Sequence, residues 1–88
     1  MSDLEMRFAT AQAAVKGLRN RPENDTLLEL YSYFKQASEG DVAGDRPGAF
    51  DFVARAKYEA WEARKGMKRD VAIRGYVKLV EHLLSLEN

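Results

Sequence analysis

The apolar positions of the chain fall into four groups, each spaced by three and four residues. Leu4, Phe8, Ala11, Val15 and Leu18 share one stripe of a first helix, because residues three and four apart stack on one helical face. Ser2 or Asp3 is placed to cap its start, and the stretch Arg19 to Pro22 ends it. A second helix is predicted from Asn24 or Asp25, whose short polar side chains suit an N-cap. It carries Leu27, Leu28, Leu30, Tyr31, Phe34 and Ala37 and stops at Gly40. The segment Gly40 to Pro47 is polar and rich in turn formers, so it reads as a surface connection. A third helix follows from about Phe52 to Lys65, stopped by Gly66. Val71, Ala72, Tyr76, Leu79, Val80, Leu83 and Leu86 then predict a long last helix with one apolar face. No alternation of period two competes, so the fold class is all-α.

Size and composition narrow the possibilities. A chain of 88 residues leaves room for one core, and residues 1–88 read as a single domain. Such a domain buries only about 60–65% of the surface its unfolded chain exposes, so it has no deep interior. The absence of cysteine removes disulfides, thiolate metal sites and cysteine nucleophiles, and fits a cytoplasmic protein. Fourteen Lys and Arg balance fourteen Asp and Glu, so the chain lacks the broad positive field of a non-specific nucleic-acid binder, and any anion site must be local. Apolar runs never exceed three residues, as at Val71-Ala72-Ile73, which excludes a membrane-spanning segment.

Catalytic chemistry finds little support. His82 is the single histidine and has no second His or Cys to complete a zinc set, so it reads as a solvated residue. None of the serines sits in a GxSxG context, and the glycine-rich loop lacks the GK[ST] ending of a phosphate-binding loop. The carboxylate pairs Asp41/Asp45 and Glu59/Glu62 read as solvated rather than as general acids or bases. The informative stretch is Tyr31-Ser32-Tyr33-Phe34-Lys35. Tyr31, Phe34 and Lys35 share a helix face, which sets two aromatic planes beside one ammonium and suits a nucleotide base with a phosphate. The same pattern also suits two core aromatics beside a solvated lysine, and periodicity does not separate the two.

The order of the residues goes further. The run Leu30-Tyr31-Ser32-Tyr33-Phe34-Lys35-Gln36-Ala37, then Gly40-Asp41, Asp45-Arg46-Pro47-Gly48, Asp51-Phe52 and Ala56-Lys57-Tyr58-Glu59-Ala60-Trp61, resembles the signature of the acyl-CoA-binding protein family. The spacing is kept throughout, and the similarity extends from about Phe8 through Val15-Lys16 to Tyr76-Val77 and Val80-Glu81. The resemblance implies a four-helix up-down-down-up bundle that binds long-chain fatty acyl-CoA thioesters as an intracellular carrier and buffer. It implies no enzymatic activity, no cofactor, no metal, no nucleic-acid partner and a monomeric state. Its partners would be fatty acyl-CoA itself, acyl-CoA-using enzymes and, transiently, membrane surfaces.

Position by position, the resemblance gives Lys35 and Lys57 the 3′-phosphate of the adenosine, with Tyr31 beside them. Tyr76 would close over the nucleotide, Lys16 would stand near the CoA moiety, and Leu27 and Leu28 would face the acyl chain. Ser32, Tyr33 and Phe34 belong to the same binding signature. Phe34 stands where the family usually has tyrosine, Val53 where lysine is frequent, and Tyr58 where tryptophan is common. Gln12 replaces a small apolar residue, and Met67-Lys68 a Thr/Ser cap. A 16-carbon chain removed from water is worth up to about 12 kcal/mol before ordering costs, so the chain would dominate affinity and the lysines would anchor the head. Trp61 reads as a structural residue filling space between helices. The alternative to a carrier is a helical interaction module that has lost its ligand and docks through Arg64, Lys65, Lys68 and Arg69, or through the Gly40 to Gly48 loop.

Overall fold

The computed structural model describes residues 2–87; Met1 and Asn88, the ends of the expected domain range, lie outside the described residues. Four helices form: α1 (Asp3–Val15), α2 (Asn24–Glu39), α3 (Phe52–Glu62) and α4 (Arg69–Ser85). Among the described residues there is no strand. Ser2 caps α1, its hydroxyl accepting the Glu5 N–H at 3.1 Å. α2 starts at Asn24 as expected, but its N-cap is Glu23, which makes no side-chain cap bond. Asn24 is itself the first helical residue and not the cap, and its Oδ1 accepts from Arg21 Nη1 at 3.1 Å. Gly40 ends α2 at φ +80°, a conformation that side chains disfavour. Asp51 caps α3 through the Ala54 N–H at 3.4 Å. α3 ends at Glu62, earlier than expected, and turns carry the chain on to Gly66.

Contacts along the helices fix their directions. Glu5 pairs with Arg69, Phe8 packs on Tyr76, and Arg19 meets Glu87, so α1 and α4 run parallel. Ala37 accepts from Arg69 while Phe34 packs near Tyr76, so α2 runs antiparallel to α4. Tyr31 faces Lys57 and Lys35 faces Trp61, which makes α2 and α3 parallel. The result is an up-down-down-up bundle in which α4 packs on α1 and α2, and α3 packs on α2. It is flat, about 39 × 30 × 15 Å across its Cα atoms, so any large ligand must lie in a surface groove.

The core gathers Phe8, Ala11, Leu30, Ala37, Ala72, Ile73, Tyr76, Val77 and Val80. On α4 the buried stripe runs through Ile73 and Val77, which the sequence reading passed over, while Val71 and Leu86 are exposed. Val71 falls on the far side of the helix from Ile73, and Leu86 lies past its last turn. Phe8 meets Tyr76 edge-on at 5.3 Å, with Phe34 at 6.2 Å from Phe8 and 6.4 Å from Tyr76.

Polar contacts tie the parallel pair to α4. Gln36, almost fully buried, donates to Asp41 Oδ1 at 2.9 Å and to the Met67 carbonyl at 3.0 Å. The Gly66 N–H also reaches Asp41 at 2.7 Å, and these bonds, the Gly66 one foremost, hold the Asp41 carboxyl below its usual range. Asp41 stays exposed to solvent, as expected, and also clasps the end of α2 to the α3–α4 turn. Glu59 and Glu62 are likewise engaged: Arg46 reaches them at 3.0 and 2.8 Å and lays the long connection onto α3. His82 is exposed, as expected.

Tyr33 explains a glycine inside α4. A Cβ on Gly75 would lie 2.5 Å from the Tyr33 ring, whose face also carries the Arg64 guanidinium at 4.0 Å. Helix propensity favours alanine by ~1 kcal/mol, but overlap with a ring held from one side costs ~1–3 kcal/mol. Gly75→Ala is therefore expected to destabilise the fold by about 1 kcal/mol, read as a lower urea midpoint at unchanged slope.

Candidate functional site

Two clefts meet along α2. The first, about 410 Å³, lies between α2 and the start of α3 and is lined by Leu27, Leu28, Phe52, Val53 and Ala56, with Arg21, Asn24, Tyr31 and Lys57 at its edges. Its walls are mostly apolar, and Phe52 and Val53 remain 74% and 69% exposed. The second, about 310 Å³, is lined by Val15, Lys16, Pro22, Leu27, Leu30, Tyr31, Phe34 and Tyr76. Leu27 and Tyr31 line both, so an apolar trough passes directly into an aromatic and cationic one.

Each wall has a local cause. Leu27, Leu28 and Tyr31 share a face of α2 at helical spacing, and Lys57 follows Val53 by one turn on α3. Phe34 is half-buried and does both things the sequence allowed: it packs with Phe8 and Tyr76 and lines the second cleft. Burial pushes the Tyr76 phenol up, so it faces the cleft as a neutral hydroxyl at ordinary pH. Lys57 Nζ lies 5.4 Å over the Tyr31 ring, and among the described residues it has no carboxylate partner.

Seven of the expected positions therefore line this pair of clefts: Lys16, Leu27, Leu28, Tyr31, Phe34, Lys57 and Tyr76. Lys35 does not converge with Lys57 here. Its ammonium pairs with Glu39 one turn on and sits 4.7 Å over the Trp61 ring. Lys35 on Trp61 and Lys57 on Tyr31 form a reciprocal pair, each helix placing a cation on the other's ring. Ser32 and Tyr33 line neither cleft. Ser32 is buried, donates to the Glu29 carbonyl at 2.7 Å and accepts from Arg64 Nε at 3.0 Å, while Tyr33 fills the α2–α4 seam against Gly75. Their α2 positions turn them toward α4 and the α3–α4 turn, away from the trough.

The sequence reading missed Arg21, Pro22, Val15, Phe52 and Ala56 as lining residues. Phe52 carried a signal, an aromatic at the first turn of a helix beside an N-cap where no core contact was predicted. Arg21 carried none, since its place depends on how the α1–α2 connection folds back. Among the described residues no group of three metal-ligating side chains occurs, and no helix is long and apolar enough to cross a membrane.

The family model for acyl CoA binding protein matches residues 5–80. The chain belongs to the acyl-CoA-binding protein family. Acyl-CoA-binding protein homolog 1 of Caenorhabditis elegans is 45% identical over 82 residues, covering 93% of this chain and 95% of that one. The crystal structure of acyl-CoA-binding protein 2 of Oryza sativa superposes with a TM-score of 0.91 at 33% identity, over 96% of this chain and 91% of that one. Enoyl-CoA delta isomerase 2 of Rattus norvegicus is 40% identical over 97% of this chain, but the match is 22% of the isomerase's length. The up-down-down-up bundle is thus the fold of the acyl-CoA-binding protein family. The family is one of binding proteins, and the isomerase carries the matched stretch as a small part of a longer chain.

Proposed function

We propose that this chain binds long-chain fatty acyl-CoA thioesters as a carrier and buffer. The acyl chain lies in the trough of Leu27, Leu28, Phe52, Val53 and Ala56, and the nucleotide over Tyr31, Phe34 and Tyr76. Lys57 and Lys16 hold phosphate, and Lys35 joins them by exchanging Glu39 for the ligand. The observation that carries this reading is the continuity of the two clefts through Leu27 and Tyr31, which matches an amphiphile with one apolar and one anionic aromatic end. The exposure of Phe52 and Val53 supports it, because apolar walls left open favour an apolar cover. Removal of a 16-carbon chain from water supplies up to about 12 kcal/mol before ordering costs, and each charge-assisted phosphate contact adds about 1.5–3 kcal/mol.

A cytoplasmic, monomeric carrier fits the cysteine-free, charge-balanced chain. Its acceptors are acyl-CoA-using enzymes, a class to which the rat isomerase belongs by name, and membranes it meets transiently. The interaction-module alternative loses ground at its docking cluster. Arg64 is committed to Ser32 and Tyr33, and Arg69 to Glu5 and the Ala37 carbonyl.

Calorimetry with palmitoyl-CoA, free CoA and palmitate in parallel tests the proposal. The expected order is palmitoyl-CoA well ahead of either half, since each half fills one cleft only. No detectable binding of palmitoyl-CoA would sink it, and palmitate binding as tightly as palmitoyl-CoA would sink the nucleotide half.

A further inference from the structure

Beyond the last turn of α4, the Glu87 side chain bends back onto the connection between α1 and α2. Its Oε1 accepts the Arg19 N–H at 3.2 Å, and its Oε2 accepts the Arg19 and Asn20 N–H groups at 2.9 and 3.1 Å. We infer that Glu87 is a positioning residue of the ligand site, holding the α1–α2 connection so that Lys16, Arg21 and Pro22 wall the two clefts. This rests on the acyl-CoA reading above for the identity of the ligand.

The connection is short of other anchors. Main-chain bonding that closes α1 ends with the Leu18 N–H to the Val15 carbonyl at 3.4 Å, and the next main-chain bond is the one that opens α2, from Leu27 N–H to Glu23. Between them, the two N–H groups taken by Glu87 are consecutive, which fixes the local chain direction as a single bond would not. The connection and the end of α4 otherwise meet across an open cleft of about 360 Å³, edged by Leu18, Thr26, Leu79, His82 and Leu83. One carboxylate therefore spans a gap that packing leaves unfilled. Its charge suits the task, since an ionised acceptor bonds two N–H groups more strongly than a neutral one. Those bonds, with Asn20 first and Arg19 next, hold the Glu87 carboxyl below its usual range, so it stays ionised at neutral pH.

The connection then delivers cations to the site. Lys16 precedes the clamped pair and lines the second cleft, and Arg21 follows it immediately and lines the first. Arg21 is itself oriented by Asn24 at 3.1 Å, so a fixed backbone at Asn20 passes its position on to the guanidinium. A connection released from Glu87 would have to be ordered again at each binding event, and that ordering cost would fall on the contacts to anionic groups. The trough built by α2 and α3 contains no part of this connection except Arg21.

The test compares wild type with Glu87→Ala by amide hydrogen exchange and by calorimetry with palmitoyl-CoA and palmitoyl-pantetheine, which lacks the nucleotide and its phosphates. Exchange at Arg19 and Asn20 is expected to accelerate in the variant, palmitoyl-CoA to bind about threefold to tenfold more weakly, and palmitoyl-pantetheine to change by less than about twofold. Unchanged exchange at both amides would overturn the clamp. Faster exchange with equal losses for the two thioesters, or with none, would leave Glu87 a structural tie and overturn its positioning role. Wild type failing to bind palmitoyl-CoA would instead bring down the acyl-CoA reading itself, a result visible before any variant is made.

Discussion

Lys57→Ala is expected to weaken palmitoyl-CoA binding about 30-fold, equivalent to ~2 kcal/mol, with little change in stability. Lys57 is exposed, so its removal leaves no cavity and no orphaned partner. Its ammonium is held over the Tyr31 ring, at the junction of the two clefts, and no carboxylate among the described residues competes for it. A phosphate arriving there meets a cation already positioned, and the aromatic face beneath it remains. Lys35 differs, because it must give up Glu39 before it can serve. Lys35→Ala should therefore cost less than Lys57→Ala, although both are lysines in one signature. Salt separates charge from packing: wild-type affinity falls as ionic strength rises, and the Lys57→Ala slope should be shallower. A Lys57→Ala variant with wild-type affinity and wild-type salt dependence would remove Lys57 from the site.

Much of the fold was legible because helical periodicity and punctuation agree along this chain. Ser2 and Gly40 mark boundaries by mechanisms local to a few residues, and the structure uses both, whereas α3 ends at Glu62, ahead of the expected stop at Gly66. Where local chemistry had a competitor, the reading slipped. Asn24 looks like a cap but stands one residue inside the helix, behind Glu23, and Val71 looks like core until the bundle selects the face through Ile73 and Val77. The second outcome depends on what lies across the interface, which spacing within one helix does not encode.

The candidate site shows the same division. Residue types and order pointed to the face of α2 that carries Leu27, Leu28, Tyr31 and Phe34, and these four do line the clefts. The signature that carried the resemblance mixes two kinds of residue, however. Gln36 and Asp41 clasp the end of α2 to the α3–α4 turn, Ser32 anchors Arg64, and Tyr33 fills the space over Gly75. A contiguous run of five residues on a helix points in every direction, so no such run can face one ligand. Arg21 and Glu87 escaped because their roles are made by the return of a connection and of the residues that follow α4, 66 positions apart in the sequence.

Trp61→Ala is expected to lower stability by about 3 kcal/mol or more, the largest single effect proposed for this chain. The indole is 7% exposed, and its Nε1–H donates to the Gly40 carbonyl at 2.8 Å. Gly40 is the residue at which α2 ends in a conformation needing φ +80°, so the bond fixes the turn out of the helix as well as filling space. Truncation would remove the ring, leave the Gly40 carbonyl without that donor, and strip the apolar plate beneath Lys35. For a domain of this size, each kcal/mol corresponds to about 4–8 °C, so the melting temperature should fall by at least about 12 °C. Trp61→Phe keeps a ring but not the N–H, and a loss of about 1 kcal/mol would measure the bond to Gly40 apart from the packing. Trp61 lines neither cleft, so at a temperature where the variant remains folded palmitoyl-CoA should still bind. A melting temperature within about 4 °C of wild type, together with lost binding, would instead make Trp61 a ligand contact and shift the anionic end of the site toward Lys35.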